Sequence, residues 1–130
     1  MAETRERYEH VRKLAKAYGA EFLLVWQPIL WVEQGEVDPR LREQEQKLDV
    51  MGAKFLQVRE NFATTYNMLA SSLEDRPYFM DFRNALIERT APVYEGDGVH
   101  LQPAGNKMVA ARLAEVLKAK GWLKNESGNK

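Results

Sequence analysis

The chain has 130 residues and a mass of 15.0 kDa, which predicts one domain large enough to bury a core. Lysine plus arginine and aspartate plus glutamate each total 19, so the bulk charge gives no reason to expect a nucleic acid or an anionic membrane as a partner. Cysteine is absent, which excludes disulfides, thiol catalysis and cysteine-ligated metals within this sequence.

The first residues resemble the start of a charged helix rather than a targeting segment. Residues 1–7 lack the apolar stretch and the cleavage pattern of a signal peptide. The longest apolar run, residues 22–26, is far too short to cross a bilayer. We therefore expect no membrane span; a cytoplasmic location is the default, but a fragment without its N-terminal part would also have lost any signal peptide, so the location stays open.

The first quarter of the chain predicts a helix followed by a strand. Apolar side chains recur at intervals of three and four, which predicts a helix with one buried face; they are Tyr8, Val11, Leu14, Ala15 and Tyr18. Gly19 is placed to end this helix. Residues 22–26 are continuously apolar and predict a strand covered on both faces, as in a parallel sheet flanked by helices. The loop after that strand lies where open α/β sheets bind ligands, so Trp31 is a candidate substrate-binding residue and Trp26 a core residue.

The rest of the chain predicts a further strand between two helices. The charge run of residues 40–47 is typical of a solvated helix face. Residues 51–73 predict a long helix with an apolar stripe that we assign to the core rather than to a binding face; its members are Met51, Phe55, Val58, Phe62, Tyr66, Leu69 and Leu73. Residues 78–82 predict the second strand, and residues 103–117 a last helix with Pro103 in its first turn and Gly121 at its end. This order indicates an α/β fold, and residues 124–130 are expected to form a flexible tail.

Asp97 and His100 are the candidate catalytic residues. Only two residues separate them and one is glycine, so a tight turn can bring the carboxylate to Nδ1 of the imidazole. That arrangement leaves Nε2 free to act as a base. A histidine oriented by a carboxylate is half of a Ser-His-Asp system, whose other half is a nucleophile with an oxyanion hole.

Two other uses of His100 remain open at this point. A lone histidine is often a loop or cap residue, and His100 with Asp97 and either Asp81 or Glu95 could bind zinc or manganese. The other histidine, His10, is predicted to be exposed on the first helix rather than placed as a second ligand. We therefore predict no metal ligand and no cofactor.

The region around Asp97 and His100 resembles a known family. Asp97-Gly98-Val99-His100, then Pro103-Ala104-Gly105-Asn106 and the last helix, closely resemble the final sequence block of the SGNH/GDSL hydrolases, a superfamily of lipases and esterases. Residues 22–28 and 78–82 are similar to the two strands that precede that block, so the resemblance covers about residues 8–123. It implies that residues 1–123 are the C-terminal portion of a flavodoxin-like, three-layer α/β/α domain with parallel strands. It also implies ester hydrolysis, in which His100 deprotonates a serine and protonates the leaving alkoxide while Asp97 orients His100.

Three other blocks of that family have no counterpart in this sequence. There is no Gly-Asp-Ser and no Gly-x-Asn-Asp, and the three serines, Ser71, Ser72 and Ser127, do not follow a strand. Asn61 and Asn67 are expected to be surface residues rather than oxyanion donors. We therefore expect an incomplete hydrolase of carboxylic esters, and the sequence leaves open whether the ester belongs to a small molecule, a sugar or a lipid.

An incomplete domain of this kind is expected to need a partner. Two strands are too few for a stable parallel sheet, and the missing N-terminal half would expose an apolar sheet edge and helix face. The partner would be the missing half, a second copy of the chain or another protein. The alternative function is that of a non-catalytic half-domain that serves self-association or partner binding.

Overall fold

The computed structural model describes residues 2–47 and 56–123, in which there are four helices and two strands. In chain order they are α1 (Ala2–Ala17), β1 (Leu24–Trp26), α2 (Pro39–Lys47), α3 (Leu56–Leu73), β2 (Phe79–Asp81) and α4 (Pro103–Ala119). The strands pair in parallel, with Leu24 opposite Phe79 and Trp26 opposite Asp81. The predicted α/β class and the parallel strands are therefore confirmed. Met51 and Phe55 of the predicted stripe, and the predicted tail, lie outside the described residues.

The chain divides into two compact units. The first lies within Met1–Gln34 and Met51–Asn84, and the second within Gly35–Val50 and Ala85–Lys130. The first unit holds the parallel strands with α1 and α3, whereas the second holds α2, α4 and residues 85–102, which precede α4. The extent of a single domain over residues 1–123 stays a prediction.

The core of the first unit lies where α3 ends beside the strands. Ala70, Leu73 and Phe79 are buried together, and Tyr8, Leu24 and Trp26 pack against them. The indole of Trp26 stacks on the ring of Tyr66, with 4.4 Å between the ring centroids, and Trp26 Nε1 donates to the Tyr66 carbonyl at 3.3 Å. Trp26 is half-buried and packs against this core, so the prediction that it fills the core is confirmed only in part.

The apolar faces of α1 and α3 are less buried than their periodicity predicts. Leu14 is 60% exposed and Tyr18 is 83% exposed, and Val11 beside them is exposed as well. On α3, Val58 and Phe62 are exposed, and the stripe becomes buried only at Leu73. The prediction of a fully buried face was wrong for both helices, and β1 is half-buried rather than covered on both sides. The reason is that the described strands form a sheet of only two, which offers too little surface to cover these faces.

The second unit is built around α2 and the segment before α4. Leu41 of α2 is buried, as are Leu86, Val93 and Tyr94. Glu45, four residues after Leu41, is also buried, so the prediction that residues 40–47 form a purely solvated face was wrong. The predicted helix ends are confirmed, because Gly19 and Gly121 have φ angles of +72° and +71°, which favour glycine after a helix. None of the helices in the described part of the chain combines the length and the apolar character that a bilayer crossing needs.

Gly105 allows the first turn of α4 to approach the segment before it. A Cβ at this position would lie 2.9 Å from the carbonyl oxygen of Val93 and 3.3 Å from Cβ of Leu101. We expect Gly105→Ala to lower the free energy of unfolding by about 1–3 kcal/mol, because backbone atoms must move to admit the methyl group. Urea denaturation followed by circular dichroism measures this. Ala104→Gly, in the same turn but exposed, is the control, and a Gly105→Ala protein as stable as the wild type would contradict the prediction.

Candidate functional site

Asp97 and His100 lie in a short loop whose two ends are held together by backbone hydrogen bonds. Tyr94 and Leu101 form an antiparallel bridge, and the Glu95 N–H donates to the His100 carbonyl at 2.8 Å. Gly98 has a φ angle of +66°, and its N–H donates to the Glu95 carbonyl at 2.9 Å. This left-handed turn requires glycine, since other residues adopt it only with strain. We call residues 95–100 the Asp-His loop.

The Asp97 carboxylate accepts three hydrogen bonds from within this loop. Its Oδ1 accepts the backbone N–H groups of Val99 and His100, each at 2.9 Å, and its Oδ2 accepts Nδ1 of His100 at 2.5 Å. The hydrogen bond from the His100 side chain, followed by that from the Val99 backbone, lowers the pKa of Asp97 to about 2. The carboxylate is therefore ionised at neutral pH and fixed in one orientation. The predicted contact between Asp97 and His100 is present.

The imidazole of His100 projects into solvent beyond that contact. Its side chain is 79% exposed, and its pKa is raised by the hydrogen bond that Nδ1 donates to Asp97, by the charge of Asp97 and, to a smaller extent, by Glu95. Because Nδ1 faces the carboxylate, the neutral ring carries its proton there and presents Nε2 as the acceptor. Chemically, the arrangement can take a proton from a hydroxyl group that approaches Nε2 and return it to a leaving group.

The effect of Asp97 on His100 can be measured directly by NMR, because the chain contains only two histidines. We expect the pKa of His100 to lie above its ordinary value in the wild type and to fall in Asp97→Asn. The raised pKa means that protonated His100 stabilises the folded chain at low pH, and that this contribution is lost as the pH rises through the raised value. The lowered pKa of Asp97 acts in the opposite direction, with a contribution lost as the pH falls towards about 2. Equal His100 titrations in the two proteins would contradict the expected hydrogen bond.

The serines in the described part of the chain lie on a helix rather than after a strand. Ser71 and Ser72 lie near the end of α3, where Ser71 is exposed and the Ser72 hydroxyl donates to the Leu69 carbonyl at 2.7 Å. That bond is the usual one between a helical serine and the preceding turn. Ser127 lies outside the described residues. These positions agree with the expectation that neither Ser71 nor Ser72 follows a strand.

Asn61 and Asn67, the two asparagines considered as oxyanion donors, each accept a hydrogen bond from a neighbouring side chain. Asn61 is exposed on α3 and accepts from Gln57, whereas Asn67 is half-buried and its Oδ1 accepts Arg83 Nη1 at 2.5 Å. Arg83 also donates to Asp81, at the end of β2. Asn67 therefore belongs to a local polar network rather than to the free surface that the sequence predicts for it.

Trp31 lies in the first unit, whereas Asp97 and His100 lie in the second. The guanidinium of Arg59 covers the Trp31 ring, with 4.5 Å between the guanidinium carbon and the ring centroid. Its indole N–H is buried and has no hydrogen-bond partner among the described residues. A contact between Trp31 and a substrate stays a prediction.

The described residues also bear on the possible metal site. No cluster of three or more histidine, aspartate or glutamate side chains there is placed to hold a metal ion. His10 is exposed on α1, as expected. Asp81, one of the two possible third ligands, is instead paired with Arg83.

A buried ion pair near the Asp-His loop is the feature that the sequence did not reveal. Arg89 donates to both carboxylate oxygens of Glu45, at 2.9 and 2.6 Å, and both side chains have an exposure of 0%. The only hint was the spacing of Leu41 and Glu45, which places both on one face of α2. Nothing in the sequence identifies Arg89, 44 residues further on, as the partner of Glu45.

Comparison of the chain with protein-family models, with curated proteins and with solved structures found no match.

Proposed function

We propose that this chain carries the acid–base half of an SGNH/GDSL-type hydrolase of carboxylic esters, with His100 as the general base and Asp97 as the residue that orients it. The hydrogen bond between Asp97 Oδ2 and His100 Nδ1 is the observation that carries the proposal. The backbone N–H groups that hold Oδ1 fix the carboxylate before any substrate is present. The α/β class and the two parallel strands are compatible with the C-terminal portion of a flavodoxin-like SGNH domain.

In the proposed reaction, a serine hydroxyl attacks the carbonyl carbon of the ester while Nε2 of His100 accepts its proton. The negatively charged Asp97 stabilises the imidazolium that results. Collapse of the tetrahedral intermediate breaks the bond to the alcohol oxygen, which takes the proton back from Nε2. Water then attacks the acyl carbon and gives a proton to Nε2; the bond from that carbon to the serine oxygen breaks, the serine oxygen takes the proton from Nε2, and the carboxylic acid is released. The serine and the oxyanion donors belong to a polypeptide segment outside these 130 residues.

The first test is the reactivity of the chain by itself towards p-nitrophenyl acetate. We expect only the slow, non-saturable reaction of an exposed imidazole, because neither Ser71 nor Ser72 follows a strand and the sequence contains no Gly-Asp-Ser. His10→Ala is the matched control, since His10 is also exposed, and it should lower the rate about as little as His100→Ala. Saturable turnover that is lost only in His100→Ala would show instead that these residues form a complete enzyme.

The second test concerns the segment that would supply the nucleophile. We expect the native protein to include or bind a segment with Gly-Asp-Ser and Gly-x-Asn-Asp, and its serine to react with a fluorophosphonate probe. The mass of the native product, the coding sequence upstream of Met1 and the labelled peptide identify that segment. A native product of 15.0 kDa without a serine-bearing partner would contradict the proposal.

A second candidate function, self-association without catalysis, is favoured by the exposed apolar face of α1. Val11, Leu14 and Tyr18 lie at helical spacing on this face, and we propose a second copy of the chain as the occupant. This candidate predicts a dimer whose stability does not depend on Asp97 or His100. Sedimentation of a Val11→Gln and Leu14→Gln double variant tests it, with Lys16→Gln on the opposite, exposed face of the same helix as the control. A folded monomer at high concentration would count against self-association.

A further inference from the structure

The Glu45–Arg89 ion pair makes further contacts besides the hydrogen bonds between its own two side chains. Removing two charges from water costs free energy that their attraction often fails to repay, so a fully buried pair is weak evidence for a stabilising role. The Arg89 side chain donates to both oxygens of Glu45, and its Nη1 also donates to the Leu86 carbonyl at 2.8 Å. The guanidinium also lies over the Tyr94 ring, 5.2 Å from the ring centroid. The pair is therefore held in one geometry by several independent contacts.

Hydrogen bonds connect this pair to the base of the Asp-His loop. Oε1 of Glu45 accepts the backbone N–H of Val93 at 3.2 Å. The Val93 carbonyl accepts the N–H of Gln102 at 2.8 Å, and the Gln102 side chain donates to the Tyr94 carbonyl at 3.0 Å. The backbone before the loop is thus bonded directly to the Glu45 carboxylate, at Val93. The backbone after the loop, at Gln102, is connected to it through the hydrogen bond to Val93.

We infer that Glu45 and Arg89 are positioning residues that fix the base of the Asp-His loop and so hold Asp97 and His100 in contact. The inference rests on the proposed function only for its consequence in catalysis. The loop has six residues, and the Tyr94–Leu101 bridge joins it to the rest of the second unit. A shift at Val93 therefore reaches the loop through the Tyr94–Leu101 bridge and the Gln102 hydrogen bonds.

A double variant, Glu45→Leu with Arg89→Met, separates positioning from stability. It replaces the pair by apolar side chains, which buried sites often tolerate, but it removes the acceptor of the Val93 N–H. We expect the pKa of His100, measured by NMR, to fall most of the way from its wild-type value to its value in Asp97→Asn. A folded double variant in which His100 titrates as in the wild type would overturn the inference.

Hydrogen exchange of the unmodified chain decides the question if the double variant does not fold. We expect the amides of Val93, Glu95 and Gln102 to exchange at similar rates relative to their intrinsic rates, because they open as one unit. Exchange of Glu95 and Gln102 that is much faster than that of Val93 would overturn the inference. Neither measurement involves ester hydrolysis, so the proposed function can fail while the positioning role stands, and the reverse is also possible.

Discussion

Replacement of His100 by alanine is expected to lower kcat/KM for an ester by about 10⁵-fold in the polypeptide that also contains the serine block. The reason is that the serine hydroxyl loses its proton acceptor and the leaving alkoxide loses its proton donor. The rate is measured with p-nitrophenyl acetate under first-order conditions, and fluorophosphonate labelling of the serine should slow in parallel. His10→Ala is the control and should leave both rates unchanged. A loss of less than about 10-fold in His100→Ala would rule out His100 as the general base.

Asp97→Asn is expected to change both the size of kcat/KM and its dependence on pH. We expect a loss of about 10⁴-fold, since an amide no longer favours the tautomer with the proton on Nδ1. Asp97 raises the pKa of His100, so the acidic limb of the wild-type profile should lie at a higher pH than an ordinary histidine would give. In Asp97→Asn that limb should move to lower pH. If the acidic limb does not move, Asp97 does not raise the pKa of His100 and the prediction is wrong.

The features that the sequence predicted correctly are local in the chain. Asp97, Gly98 and His100 lie within four residues, so the turn chemistry of glycine and the length of an aspartate side chain are sufficient to predict their contact. The strands β1 and β2 are short apolar runs that end close to proline or charged residues, and their parallel pairing follows from the intervening helices. The ends of α1 and α4 follow from glycines with positive φ angles.

The features that the sequence did not predict depend on contacts between distant segments. The periodicity of α1 and α3 shows which side chains share a face, but it does not show how much surface is available to cover that face. Leu14 and Phe62 are exposed for that reason, although their spacing is typical of a core. Glu45 differs in the opposite sense, because a glutamate in a charged helix is buried only where a cation such as Arg89 reaches it.

Removal of one partner of the Glu45–Arg89 pair is the second large effect that we expect. Glu45→Leu or Arg89→Met alone should lower the free energy of unfolding by about 3–5 kcal/mol, because each leaves an unpaired charge in a site with 0% exposure. Chemical denaturation at low temperature measures the loss. The double variant should recover most of it, so the two single changes should be strongly non-additive.

A second ion pair on α2 provides the matched control. Glu43 pairs with Lys47 at 2.7 Å, but both side chains are largely exposed, so Glu43→Leu should change the free energy of unfolding by no more than about 1 kcal/mol. Glu43 and Glu45 lie two residues apart on the same helix and receive the same substitution, so helix propensity cancels in the comparison. What remains is the difference between a charge that water can solvate and one that only Arg89 can neutralise. If Glu43→Leu and Glu45→Leu lowered the free energy of unfolding equally, Arg89 would have found water or another acceptor in place of Glu45. The ion pair would then not be needed to hold the base of the Asp-His loop.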